Sequence, residues 1–365
     1  MKILIGMPSP GSWGGTIACE PPVAEALAAS GEDVTSEIYI YGDKAERYAS
    51  TSRRIRRVVT TALRLRRLLK GQSYDVVHLN SAFDRRSVLR DAATILLIGR
   101  TRAKYFLKVH GASPEEFAGR SLVYGRLISF LNTRVSGFGV HTEEEMAGLE
   151  QIGLDRKKFF VTHNAIVVNK EKPEGFVRNH KEPHERFRLL YAARFIGSKG
   201  VLETIRACAI LREKGFDIEL ECLGDGPLEQ EAHQLADNLG LSESVNFRGH
   251  VPANELDRLF FETDVFVFPT SHNEGFPIGL FNAVAAGMPI VTTKTRAAND
   301  NLSDPDNCLF STDQPEDIAK RLAELIQNKE LRTMMSEANV RFGEQLSPER
   351  MAVEYLAIYK KVAGV

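Results

Sequence analysis

The sequence predicts an α/β protein made of two doubly wound, parallel-sheet domains in series. Three observations predict it. Apolar strand-like runs alternate with helix-like segments, a polar stretch near the middle interrupts the alternation, and the same alternation then restarts. A length of 365 residues also exceeds one ordinary hydrophobic core, which agrees with two domains.

"KILIGMP" (2–8) opens the chain as a strand, and a Gly-rich turn, "GSWGG" (11–15), follows it. "PPVAEALAASG" (21–31) has helix formers and a terminal Gly stop, so it reads as the first helix. Further strands are expected at "DVVHLN" (75–80), "YFLKVHG" (105–111) and "GFGVHT" (137–142). The stretch 169–186, "NKEKPEGFVRNHKEPHER", holds two prolines, lacks periodicity and reads as the interdomain linker. The first domain is therefore 1–168 and the second 187–346. The second starts at "FRLLYAARF" (187–195) and continues through "IELECLGDG" (218–226), "SVNFRGHV" (244–251), "DVFVFPT" (264–270) and "MPIVTT" (288–293). The stretch 347–365 opens with Ser beside Pro and then shows helical spacing, which predicts a C-terminal helix able to return to the first domain.

Composition excludes several classes. With 43% hydrophobic and 26% charged residues the chain reads as globular. No apolar run reaches membrane-spanning length, and "MKILIGM" is too short to read as a secretory signal. The four cysteines (Cys19, Cys208, Cys222, Cys308) are scattered without a CxxC, so a reducing compartment is expected and neither a disulfide scaffold nor a zinc site. The net charge of −1 conceals an asymmetry: residues 1–170 carry +8 and the remainder −9, so the two halves are expected to meet different partners.

Two stretches carry chemistry in the second half. In "HNEGFPIGLFNAVAAGMPIV" (272–291) Glu274 sits in a Gly- and Pro-bearing turn between a buried strand and a helix. Such a turn points free N–H groups and a positive dipole end outward, which suits phosphate. Gly275 permits close approach, and the Glu274 carboxylate suits sugar hydroxyls. The same pattern also fits an acid at a helix start with an ordinary turn. "AARFIGSKG" (192–200) places Arg194 and Lys199 directly after a strand, and two cations there suit a diphosphate. A solvated loop would read the same way.

Taken in order, Arg194 and Lys199, the Gly224–Pro227 turn, Gly249–Val251, Glu274–Pro277 and "AAGMPIV" resemble the C-terminal half of the family-4 retaining glycosyltransferases of the GT-B fold. The resemblance extends to the N-terminal half through "GSWGG", "YDVVHL" and "KVHG" and covers nearly the whole chain. It implies two Rossmann-like domains facing a cleft. The donor, a nucleotide diphosphate-sugar, is held mainly by the C-terminal domain and an acceptor mainly by the N-terminal domain. Arg194 and Lys199 would neutralise the diphosphate leaving group. Glu274 and the backbone of Gly275, Phe276, Pro277 and Ile278 would hold donor sugar and phosphate, with Gly224 in the adjoining turn. Gly14 and Gly15 would let the first turn pack against the phosphates, His110 would lie beside the anomeric carbon and donor hydroxyls, and Val251, by its backbone, would border the base. The implied catalytic set is His110, Glu274, Arg194 and Lys199, with no cofactor and no metal.

The chain departs from the family pattern at Asn282, where the family has a second acid that meets the ribose; an amide can still bond a diol, without charge assistance. The loop after the next strand, "TKTRAANDNLSDPDNCLFS" (293–311), also differs. Its Asp304 and Asp306 form an Asp-x-Asp pair, read here as a turn and not as a metal ligand set. His78, His141, His163 and His250 end strands and fit either a cleft lining or structural roles. Trp13 either shields the cleft or caps the core.

"SRRIRRVVTTALRLRRLLKG" (52–71) predicts an amphipathic helix. Ile55, Val58, Val59, Ala62 and Leu69 are expected to face the core, with Arg53, Arg56, Arg57, Arg64 and Arg67 on another face. Residues 53–108 hold 15 Lys+Arg against 3 Asp+Glu. The basic face is either solvated or meets an anionic membrane surface, and no nucleic-acid motif accompanies it. The expected protein is a metal-independent retaining hexosyltransferase, cytoplasmic or peripheral on the inner face of the cytoplasmic membrane. Its acceptor is expected to be a lipid-linked sugar or a polysaccharide or cell-envelope glycan. An epimerase of the same fold and a non-catalytic sugar-nucleotide-binding protein are the alternatives.

Overall fold

Two six-stranded sheets, parallel throughout, carry the chain in a computed structural model. It describes all residues except 11, 13–14, 41–48, 118–120, 168–181, 183–184 and 272–273. The first sheet contains β1 (Lys2–Pro8), β2 (Asp33–Ile40), β3 (Val76–Ser81), β4 (Lys104–Val109), β5 (Val135–Val140) and β6 (Phe159–Val161) in the order β2-β1-β3-β4-β5-β6. Its helices are α1 (Gly15–Ala29), α2 (Thr51–Gly71), α3 (Arg85–Ile98), α4 (Leu122–Arg134) and α5 (Glu143–Gln151). The second sheet contains β7 (Phe187–Ala192), β8 (Ile218–Leu223), β9 (Val245–Gly249), β10 (Val265–Phe268), β11 (Ile290–Thr293) and β12 (Leu309–Ser311) in the order β12-β11-β10-β7-β8-β9. It is flanked by α6 (Val201–Glu213), α7 (Glu229–Asn238), α8 (Ala253–Glu262), α9 (Ile278–Ala285), α10 (Arg296–Asn301), α11 (Pro315–Gln327) and α12 (Lys329–Gln345).

Two compact units follow: residues 1–165 with 347–365, and residues 166–346. The last helix, α13 (Pro348–Ala363), starts where Ser347 accepts the Arg350 N–H and Pro348, lacking an N–H, needs no acceptor. It buries Met351, Tyr355, Ile358 and Tyr359 against Ile3, Ile5, Val76 and Phe106 of the first sheet. The opposite face of that sheet packs on α2–α5, and the second sheet is likewise covered on both faces. Double burial explains why the central strands read as continuous apolar runs.

Each sheet has one switch in strand order, between β1 and β3 in the first and between β7 and β10 in the second. Crevices at the carboxyl ends of strands open at such switches, and ligands bind there. Three strands gave no signal in the sequence: β2, β6 and β12, all at sheet edges. β2, "DVTSEIYI", buries one residue of its eight, and the other two have three residues each. α1 starts six residues before the apolar stretch at 21 and runs through Pro21 and Pro22. The 293–311 stretch contains α10 and β12. The expected linker lies almost wholly outside the described residues, as does Trp13.

α2 corrects the expected division of faces. Ala62 and Leu65 are fully buried, but Ile55 is 61% exposed, and Val59 and Leu63 are also on the surface. The arginines do not form one face either. Arg53, Arg56 and Arg67 are exposed, whereas Arg57 is half-buried. Arg64 turns to β2, where it pairs with Glu37 at 2.8 Å and donates to the Ile38 carbonyl at 2.7 Å. The Glu37 carboxylate and the Ile38 carbonyl of β2 together hold this one arginine against the strand.

Candidate functional site

The second unit brings Arg194, Lys199 and Glu274 together at its switch point. β7 ends at Ala192, and the chain turns through Arg194 into a short 3₁₀ turn, Gly197–Lys199. Tyr191 donates its hydroxyl to the Lys199 carbonyl at 3.1 Å, and the Ser198 carbonyl accepts from Ser271 N (3.0 Å) and Thr270 Oγ1 (2.8 Å). These bonds tie the loop after β7 to the loop after β10. Gly200 closes the turn at φ 78°, where a Cβ would lie 2.4 Å from the Pro269 carbonyl oxygen. Only glycine fits that approach.

Lys199 is buried, forms an ion pair with Glu274, and lies 5.8 Å from the Phe268 ring centroid. Arg194 is exposed. Burial, and then the Arg194 guanidinium, push the Lys199 ammonium down to about 8. Two cations held near each other favour an anion that neutralises both. Beside them α9 begins at Ile278 after Pro277, with no side chain capping its N-terminus. Gly275, Phe276 and Pro277 are buried, and Phe276 stacks on Phe281 at 3.9 Å between centroids, which fixes the turn that carries Glu274. Asn282 is half-buried one turn into α9, and no described group hydrogen-bonds its side chain. Val251, after β9, is half-buried against the Phe260–Phe281 cluster.

Gly224 lies in the turn after β8 and packs directly against the loop that carries Arg194. At φ 129° a Cβ on it would sit 1.9 Å from the Ala193 carbonyl oxygen. The glycine is required by the loop that carries Arg194, which it underlies. The 303–306 stretch is an exposed turn in which Asp304 accepts from Phe310 N at 3.0 Å, so its carboxylate already serves the backbone.

In the first unit Gly14 lies outside the described residues, and Gly15 is the first residue of α1. His110 follows β4 and joins a buried network that sequence reading missed. Lys108, fully buried, donates to Glu20 of α1 at 2.6 Å and lies 5.0 Å from the Tyr355 ring centroid. Asn80 of β3 donates to the Gly6 carbonyl (2.9 Å) and to Glu20 (3.3 Å). His110 Nε2 lies 2.7 Å from Asn80 Oδ1. Burial alone would raise Glu20, but Lys108, with His78 and His110, holds its carboxyl well below the usual range. Burial also opposes the charge on Lys108, and Glu20 overcomes it and holds the ammonium above the usual range. The signal available in the sequence was a lysine inside the apolar run "YFLKV", two residues from His110 and therefore on the same face of the strand.

His78 and His141 are structural. His78 Nδ1 bonds the Tyr359 hydroxyl at 2.6 Å, and His141 Nδ1 donates to the Thr162 carbonyl at 2.8 Å. Burial lowers them to about 4 and about 3. Cys19, Glu20 and His110 place ligand atoms within 4.8 Å of one another. Within this group the Glu20 carboxylate is already paired with Lys108, and burial pushes the Cys19 thiol up. All four cysteines are free and buried.

Residues 174–341 match the family model described as glycosyl transferases group 1. The amylovoran biosynthesis glycosyltransferase AmsK of Erwinia amylovora is 30% identical over 149 residues, 39% of this chain and 35% of that protein. The N,N'-diacetylbacillosaminyl-diphospho-undecaprenol alpha-1,3-N-acetylgalactosaminyltransferase of Campylobacter jejuni is 26% identical over 224 residues, 60% of this chain and 55% of that protein. The chain thus spans about a third to a half of the length of these relatives. The crystal structure of Anabaena HepE in complex with UDP and glucose superposes with a TM-score of 0.71, at 18% identity, over 98% of this chain and 99% of that one. The fold is GT-B.

Proposed function

We propose that the protein is a family-4 retaining glycosyltransferase that moves a sugar from a nucleotide diphosphate-sugar to an acceptor hydroxyl in the assembly of a polysaccharide or cell-envelope glycan. One observation carries the reading: Arg194, Lys199 and Glu274 converge at a strand-order switch beside the uncapped N-terminus of α9. Arg194 and Lys199 meet the diphosphate, the N–H groups of α9 meet a phosphate, and Glu274 meets sugar hydroxyls. Asn282 contacts the ribose without charge assistance. The acceptor oxygen bonds the anomeric carbon as the bond from that carbon to the diphosphate breaks, and the acceptor proton passes to the leaving phosphate. Retention follows the family resemblance. The residues supply two cations for the leaving group, so no metal is assigned to it. The relatives named for amylovoran biosynthesis and for a diphospho-undecaprenol acceptor support an envelope glycan.

A screen of nucleotide diphosphates and their sugars tests this. The cognate donor should raise stability by about 2.7 kcal/mol at a hundredfold excess over Kd. Transfer with the donor's anomeric configuration kept, undiminished by chelator, is expected. Conversion of donor without acceptor would favour an epimerase and overturn the reading.

The acceptor is proposed to be lipid-linked and met at an anionic membrane face. No described helix is long and apolar enough to cross a membrane. The exposed Ile55, Val59 and Leu63 of α2 lie beside the exposed Arg53, Arg56 and Arg67. Basic residues near such a surface contribute about 1 kcal/mol each, screened by salt. Binding to anionic vesicles, released by salt and lost in Arg53→Gln/Arg56→Gln/Arg67→Gln, is the expected outcome, with donor binding unchanged. Indifference of the wild-type protein to such vesicles at low salt would favour a soluble acceptor.

A further inference from the structure

We propose that Asn80, held by the buried Glu20–Lys108 pair, fixes His110 as its Nε2–H tautomer and so presents the Nδ1 lone pair as an acceptor for a substrate hydroxyl. The hydroxyl rests on the glycosyltransferase reading; the tautomer does not.

The orientation of the Asn80 amide comes first. Its Nδ2 faces the Gly6 carbonyl at 2.9 Å and Glu20 Oε2 at 3.3 Å, and both of these only accept. A flipped amide would set its oxygen against two acceptors and leave buried donors unmet. Asn80 Oδ1 therefore faces His110 Nε2 at 2.7 Å, and Glu20 Oε1 lies 3.6 Å from the same nitrogen. A ring nitrogen that meets only acceptors carries the proton.

The ring is neutral. Burial lowers its affinity for a second proton, and Lys108 lowers it further, against Glu20, which raises it; His141 and His78 also lower it. These groups face the ring from α1, β3, the loop after β5 and β4 itself. One proton on Nε2 leaves Nδ1 bare. No described group hydrogen-bonds Nδ1, and the His110 side chain is 13% exposed. The backbone is pinned as well, since His110 N donates to the Ser81 carbonyl at 2.8 Å.

A bare Nδ1 accepts an O–H and repels a phosphate oxygen. It cannot donate a proton to a leaving group. His110 would thus read a hydroxyl and not an anion. Lys108 matters because it keeps Glu20 charged and in place; Asn80 acts through His110 and is a positioning residue. His141, whose ring centroid is 5.6 Å away, donates from Nδ1 to Thr162 and so has the opposite tautomer.

Long-range proton–nitrogen NMR of the full chain labelled at histidine reads this directly, with His110→Gln assigning the signal. His110 is expected in the Nε2–H form at neutral pH, beside His141 in the Nδ1–H form as an internal contrast. A His110 that is Nδ1–H or doubly protonated at neutral pH overturns the proposal without any Asn80 variant. Asn80→Asp replaces the two donors by a second carboxylate, and should raise the His110 titration toward neutral. Its kcat should fall about tenfold or more at neutral pH and recover as pH rises, with nucleotide Kd unchanged. An unmoved His110 titration in folded Asn80→Asp also overturns it. If no donor is transferred under any condition, the function reading fails and the tautomer measurement still stands.

Discussion

Replacing Lys199 with alanine is expected to lower sugar transfer by about 10²–10³-fold while the fold persists, the scale for removing one preorganised group that stabilises developing charge. Lys199 is buried and paired with Glu274, so its loss also releases that carboxylate. Nucleotide diphosphate affinity provides a second reading of the same group. With Lys199 lowered to about 8, the cation is complete below that pH and disappears as pH rises through it. Affinity should fall across that window in the wild type, and Lys199→Arg should remove the fall. Near-normal turnover by Lys199→Ala would take the residue out of the donor site.

Lys108→Met is expected to destabilise the first unit by about 3–5 kcal/mol, because it strands the carboxylate of Glu20 where water does not reach. The double variant Lys108→Met/Glu20→Gln should recover much of that loss, since no ion is then left unpaired. The pH dependence has a definite sign. Glu20 has its folded pKa depressed, so its contribution is complete above the ordinary carboxylate range and is lost as pH falls below it. Chemical denaturation of wild type and variants at neutral and acid pH measures both effects. A Lys108→Met protein as stable as wild type would show that the pair contributes nothing.

How much was legible depends on the range of the interaction. β1 coincides with the run "KILIGMP", and α13 has its Ser and Pro start where the sequence places them, because strand burial and helix capping act within a few residues. β2 was missed because an edge strand buries one face incompletely and keeps polar side chains. Ile55 and Val59 share the helical spacing of a core face, yet spacing does not say how wide a face the neighbouring elements cover. The glycine at 224 was legible as a turn, but its reason is the Ala193 carbonyl, 31 residues away in sequence.

By itself the sequence determined the parallel α/β architecture and the turns that carry Arg194, Lys199 and Glu274. Apolar periodicity, glycine and proline act on the chain locally, and they leave their mark in consecutive residues. Only the tertiary structure decided which charges are buried together. Glu20 meets Lys108 across 88 residues and Asn80 across 60, and Asn80 meets His110 across 30. No local pattern encodes these pairings, because the strand order that places β1, β3 and β4 side by side chooses the partners. A buried ion is tolerated only where that order supplies its counterion.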